Sequence, residues 1–427
     1  MTSVPEAPAG TGATAAPARQ WPPGRLRHDR PFLTFWTGQT LTMAGGQVSC
    51  LAIPLAAILV LDVQAWQAGI LAAAGKLPFL VFGPLAGGWV DRWPRRPVLV
   101  GTALARAVVL VWVPVAAARG MLTVAQLYAV AFAAGALALF SAVAAREILP
   151  VLAGRRTVEA NDRLEVSRTA TGLAGPSAGG ALVQAVTAPL ALLADAACSL
   201  VAAALMAGVR VREPGPAPAP GRAPAWPRLR AGLAVVGRHP LLRWTAIAST
   251  VSYLFTHALL AVVLLYLVRI LHLSAAMIGI LLAIAGIGAL LGAASGPGLA
   301  RRLGLGPALV TSAGVTGAGA LLLGLASGPP QLRLAWLSFA YPIFAYGCPA
   351  FTTAVIGMRR ALAPDRLVGR AAEPMRLLAW TATPAGAVLG GALGQWIGLR
   401  EAMVVAGAGL LLPPLLLALS PVRAVRG

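Results

Sequence analysis

Runs of about 20 mostly apolar residues recur along nearly the whole chain, and that length is what one helix needs to cross the hydrocarbon core of a bilayer. They fall near 33–60, 66–90, 97–118, 124–146, 170–187, 189–210, 243–268, 275–299, 306–327, 332–357, 375–396 and 399–419, twelve in all. Backbone that stands in lipid must satisfy its own hydrogen bonds, so the expected fold class is an all-α membrane protein with 12 transmembrane helices. The Pro-rich stretch that opens after Glu213 divides these spans into two bundles of six, a layout typical of transporters built from repeats. The expected organisation is therefore a disordered cytoplasmic tail over 1–30, a first bundle over 31–212, a cytoplasmic linker over 213–240 and a second bundle over 241–427. Within the linker, Leu229 to His239 reads as a short amphipathic stretch.

Composition agrees with a chain mostly in lipid, since 58% of the 427 residues are hydrophobic and only 11% are charged. The formal net charge of +21 does not point to nucleic acid, because the arginines stand in short clusters between apolar runs and form no basic domain. Their distribution is a topology signal. Of the 34 basic residues, 28 fall on one predicted side, whereas Arg119, Arg269, Arg333 and Arg400 fall on the other. Basic loops stay in the cytoplasm, so both termini are expected there, with the chain in a bacterial inner membrane. Cys50, Cys198 and Cys348 lie in apolar runs without a CxxC pair, which argues against a disulfide framework or a metal site. Gly69 to Lys76 has the wrong spacing for a phosphate-binding loop, and no nucleophile, metal or paired-acid constellation suggests an enzyme or a cofactor.

After the second span the chain reads Gly87-Gly88-Trp89-Val90-Asp91-Arg92-Trp93-Pro94-Arg95-Arg96. This resembles the major facilitator superfamily signature GxxxDRxGRR, with Pro94 where glycine is commoner. Three further stretches resemble its macrolide efflux and enterobactin exporter-like branch: Phe32 to Pro54, Arg146-Glu147-Ile148-Leu149-Pro150 with Glu159 to Glu165, and Arg359 to Arg370. Gly175-Pro176-Ser177-Ala178-Gly179-Gly180 resembles the antiporter motif of drug exporters, which favours export. The resemblance implies a major facilitator fold and a gating role for Gly87, Asp91, Arg92, Arg95, Arg96, Arg146, Gly175, Pro176, Gly179 and Gly180. Small residues let helices approach closely, and a carboxylate among arginines can change partners between two conformations.

Four ionisable groups fall within spans, Lys76, Arg106, Asp195 and His257, and such groups are functional candidates by default. Lys76 and Asp195 lie at similar depth, so a salt bridge or shared water pocket between them is a candidate arrangement, while Arg106 is expected to snorkel to the inner surface. His257 is a candidate proton carrier or substrate ligand, or a histidine bonded within the packing. By resemblance, spans 1, 4, 7 and 10 line the cavity, with Gln39, Thr42, Gln47, Phe140, Ser141, Tyr253, Phe255, Tyr341, Phe344, Tyr346 and Thr352 as candidates. Walls of that kind suit amphipathic small molecules better than sugars or phosphates. The expected function is a monomeric secondary transporter that exports drug-like or secondary-metabolite molecules by alternating access, coupled to protons and surrounded by lipid. A siderophore exporter, an uptake permease and a non-transporting scaffold or receptor are the alternatives.

Overall fold

Twelve crossings require repeated chain reversal, and residues that leave helical space or cap a helix stand at the reversals. The computed structural model describes residues 29–90, 92–209, 225–362 and 365–425. These form α1 Arg30–Val60, α2 Ala65–Val90, α3 Arg95–Ala118, α4 Val124–Ala153, α5 Thr157–Val186, α6 Ala188–Gly208 and α7 Ala225–Arg238. The chain continues as α8 Pro240–Arg269, α9 Ala275–Leu303, α10 Leu305–Gly324, α11 Pro330–Leu362, α12 Asp365–Trp396, α13 Leu399–Gly409 and α14 Leu412–Leu419. Asp62 and His272 adopt positive φ of 46° and 52° in equivalent reversals, before α2 and before α9. Thr123 caps α4 through a capping box with Gln126, and the Ser274 hydroxyl accepts from the Met277 N–H at the start of α9.

Eleven stretches are long and apolar enough to cross a bilayer, but one of them, Val124–Val186, contains 63 residues. As one helix it would measure roughly 95 Å against a hydrocarbon core of ~30 Å. Gly154, with φ of 54°, and the 3-10 turn Gly154–Arg156 divide it, so α4 and α5 cross separately. The described residues therefore make the twelve crossings expected, with α13 and α14 together forming the last. That crossing breaks at Leu410 and Leu411, because Pro413 and Pro414 lack N–H donors and their rings clash with carbonyls four residues earlier.

Helices also run beyond the apolar spans. α5 starts at Thr157 rather than near 170, since Glu159 with Arg163 (2.9 Å) and Glu165 with Arg168 (3.1 Å) support a water-exposed extension. In the linker, the short stretch expected from Leu229 to His239 forms the greater part of α7, which starts at Ala225. Its Val236 is buried with Leu242, Ala246 and Met375, which holds the helix against α8 and α12. The tail up to residue 28 and linker residues 210–224 lie outside the described residues.

α1 to α6 pack on one another, as do α8 to α14, and the two groups meet chiefly where α2 lies on α12 and α5 lies on α9. α3 illustrates how a span serves both lipid and core. Leu104, Val108, Trp112 and Val115 form an exposed stripe at helical spacing, while Ala107, Leu110 and Val113 are buried. Both described ends lie on one face, where the Gly306 N–H at the start of α10 donates to the Val425 carbonyl at 3.0 Å. We call this the terminal face.

Candidate transport gates and central recess

The contacts between the two groups are closest toward the face opposite the termini. A methyl carbon placed on Gly180 of α5 would stand 2.3 Å from the Ala275 carbonyl oxygen and 3.0 Å from the Gly279 Cα of α9. On the other side of the molecule, one placed on Gly391 of α12 would stand 2.8 Å from the Ala65 carbonyl oxygen and 2.8 Å from the Gly69 Cα of α2. Only glycine permits backbones this close, so the two seams shut the opposite face. The expected antiporter motif is part of this construction. Gly175 faces the Gln47 side chain and Gly179 the Val48 backbone of α1, so Gly175 to Gly180 clamps α5 between α1 and α9.

Between the seams, Arg269 at the end of α8 donates to the Asp62 carboxylate in the turn after α1, joining the two groups. Asp62 is 91% exposed, and exposed pairs contribute little. Asp62→Asn should therefore raise the labelling rate of a cysteine placed at Gln64 by no more than about fivefold. A membrane-impermeant maleimide applied from that face would measure it, and a much larger rise would make this pair, rather than the glycine seams, the principal lock.

Asp195 of α6 is fully buried and is bound by Arg106 of α3, not by Lys76 as the depth along the spans had suggested. Arg106 Nη2 donates to Oδ2 at 2.6 Å and Nε to Oδ1 at 3.3 Å. Ser49 Oγ donates to Oδ2 at 2.5 Å and Ser199 Oγ to Oδ1 at 3.4 Å. The Arg106 side chain is 12% exposed, so it does not snorkel to the surface: a carboxylate within reach outweighs distant water. This cluster joins α1, α3 and α6 inside the first group and so does not face the gap between groups.

Lys76 is exposed on α2, and the His257 imidazole is half-buried on α8. A recess of about 210 Å³ lies between α8, α11 and α12. Its wall includes Ser249, Tyr253, Thr352, Arg359, Arg376 and Trp380. The Arg376 guanidinium stacks 4.7 Å from the Trp380 ring centre, and Phe79 of α2 meets that ring edge-on at 6.1 Å. Arg359 and Arg376, first read only as topology signals, thus face the site. A second, open recess on the terminal face, lined by Arg301, Arg302 and Arg423, lies where α9, α10 and the chain end meet, away from the gap.

The aromatic candidates divide. Tyr253 lines the recess, and Phe140 stacks on Trp89 at 6.2 Å within a cluster that includes Phe82 and Phe132. Tyr341 and Phe344 are each only 4% exposed and pack in the core, where Gly319 of α10 admits the backbone at Phe344, so they do not line the cavity. Phe255 packs its ring on Gly409 of α13, and Tyr346 bonds through its hydroxyl to Ser295 at 2.8 Å between α9 and α11. Gln39 and Thr42 are half-buried on α1, where Thr42 donates to the Gly38 carbonyl, and Ser141 is half-buried on α4. Thr352 is exposed toward the recess but donates to the Cys348 carbonyl.

At the terminal face, Asp91 lies outside the described residues, as does everything of Gly87 beyond its place near the end of α2. Arg95 Nε donates to Glu147 of α4 at 3.3 Å. Arg96 donates to the carbonyls of Met206 and Ala207, capping the negative end of α6. Arg92 and Arg146 are exposed. Glu147 was legible only as part of a motif, with nothing in its position naming Arg95 as its partner.

Twelve crossings in two groups of six, closed on one face by paired seams, define the fold of a secondary membrane transporter. The chain belongs to the Major Facilitator Superfamily, whose sequence profile matches residues 35–373. Among solved structures it is similar to a bacterial homologue of the iron transporter ferroportin in its inward-facing state, at 18% identity over 91% of this chain and 98% of that one, with a TM-score of 0.73. It is also similar to the nucleoside transporter NupG, at 14% identity over 91% and 98%, TM-score 0.73. A bacterial homologue of the lysosomal transporter Spinster, inward-facing and occupied, matches at 14% identity over 93% and 97%, TM-score 0.72. Against the outward-facing form of the ferroportin homologue, at 18% identity over 91% of this chain and 98% of that one, the TM-score is 0.56. No protein of curated function matches the chain by sequence.

Proposed function

We propose that this chain exports small amphipathic molecules across a bacterial inner membrane by alternating access, with proton coupling through His257. The observation that carries this reading is the pair of glycine seams closing the face opposite the termini, while a recess with aromatic and cationic walls stands between α8, α11 and α12. The arginine bias supports a cytoplasmic terminal face, which makes this the state that receives substrate from the cell interior. The Gly175 to Gly180 motif supports export. Asp91, through its resemblance to the gating signature, is proposed to govern the closure of the terminal face.

In this reading the two six-helix groups, 31–212 and 241–427, rock about the bound molecule, and α7 connects them on the cytoplasmic side. A reporter fused after Gly427 and another inserted near Arg222 should both register inside, and an outside signal from either reverses the orientation. Inside-out membrane vesicles containing the chain should accumulate members of a chemically broad amphipathic panel in a manner abolished by a protonophore. Accumulation by intact cells instead would favour an uptake permease. If His257 carries the proton, His257→Gln should remove the pH dependence of vesicle uptake between about pH 5 and 8. An unchanged pH profile would place His257 in the packing alone.

A further inference from the structure

We propose that the recess between α8, α11 and α12 is an anion subsite, which selects amphipathic molecules that carry a carboxylate or a similar oxyanion. This rests on the export reading and sharpens its substrate class. Two guanidiniums reach this one wall, Arg359 from α11 and Arg376 from α12, and Tyr253 of α8 lines it with them. Among the residues whose side chains are described, neither arginine has a carboxylate partner, and no acidic side chain lines the recess. Arg359 is half-buried and Arg376 exposed, and like charges lining one wall repel; an anion relieves that repulsion while accepting their hydrogen bonds.

The neighbouring hydroxyls sharpen the assignment. Ser249, Thr352 and Thr383 each donate to a carbonyl four residues earlier in their own helix, so their protons are already used. The donors left for a ligand are the two guanidiniums and the Tyr253 hydroxyl, a set that suits an oxyanion rather than a neutral carbonyl or a cation. Trp380, held between Arg376 and Phe79, offers an aromatic face, while Phe351, Val355 and Met375 make the remaining wall apolar. At about 210 Å³ the recess is smaller than the roughly 300–1,000 Å³ of a site for a whole drug-sized ligand. It accommodates the acidic end and an adjoining ring, leaving the rest of the molecule in the gap.

The test uses purified full-length chain in neutral detergent with pyrenebutyrate and its methyl ester, read by fluorescence. Wild type should bind the acid more tightly than the ester. Arg359→Gln and Arg376→Gln should each weaken the acid by about tenfold or more, leave the ester within about twofold, and keep the wild-type melting midpoint. Arg359→Lys, which keeps the charge but loses the bidentate fork, should fall between. Equal affinity for acid and ester in wild type, or unchanged acid affinity in both glutamine variants, would overturn the proposal. If a variant melts early, the comparison of acid with ester in wild type decides alone.

An anionic lipid headgroup has the same chemistry. Phosphatidylglycerol added to the micelles should therefore leave pyrenebutyrate binding unchanged relative to phosphatidylcholine, and displacement by it would assign the site to lipid and overturn the substrate subsite. Binding is measured without transport, so failed vesicle uptake with intact acid-selective binding would count against export and not against the subsite.

Discussion

Arg106→Met should lower stability by about 3–5 kcal/mol, because it leaves the fully buried Asp195 carboxylate without its cation inside the first helix group. Ser49 and Ser199 still donate to that carboxylate, but two neutral hydroxyls replace neither the charge nor the bidentate geometry. A double variant, Arg106→Met with Asp195→Leu, removes both charges and should recover most of the loss, since a buried pair contributes far less net stability than breaking it costs. Thermal unfolding of the purified variants in detergent measures both steps. If Arg106→Met melts with wild type while transport alone is lost, the pair belongs to coupling and not to the scaffold.

Gly391→Leu and Gly180→Leu should each abolish transport while preserving the fold of the two groups. The added side chain cannot fit where a single methyl carbon would already meet the Gly69 Cα at 2.8 Å or the Ala275 carbonyl oxygen at 2.3 Å. In the proposed cycle the close contact exists only when the opposite face is shut, so the substitution penalises that state and leaves the open one untouched. A bias of even ~3 kcal/mol holds the closed state below about 1%. Vesicle uptake reads the loss of turnover, and membrane abundance reads folding. Wild-type turnover in both variants would mean that the seams do not form during the cycle.

The number and order of crossings were legible in the sequence, because hydropathy over about 20 residues depends on composition and hardly on rotation about the helix axis. Rotation is what pairing depends on, and there the reading failed. Lys76 and Asp195 lie at similar depths, yet Lys76 is exposed whereas Asp195 is buried against Ser49 of α1 and Arg106 of α3. Tyr341 and Phe344 sit on the expected helix but on its buried face. Arg359 and Arg376 were absorbed into the charge bias, although Arg359, one turn before the end of α11, and Arg376, about three turns into α12, line one recess.

The seams had a trace in the sequence that gains meaning only from the structure. Gly69-Ile70-Leu71 reappears as Gly279-Ile280-Leu281, and Gly179-Gly180-Ala181-Leu182 as Gly390-Gly391-Ala392-Leu393. Each seam pairs one copy of the first motif with one copy of the second, so the internal repeat and the two-sided closure are the same fact.

Alternating access is the central claim, and a distance measured across the sealed face tests it most directly. Spin labels at Gln64 and His272, both exposed in the turns that flank the Asp62 to Arg269 contact, report the separation of the two groups there. In a bilayer, with Cys50, Cys198 and Cys348 replaced, the chain should give two distance populations, and Gly391→Leu should move nearly all of the signal to the longer one. A single short distance that persists in Gly391→Leu would contradict alternating access through these seams.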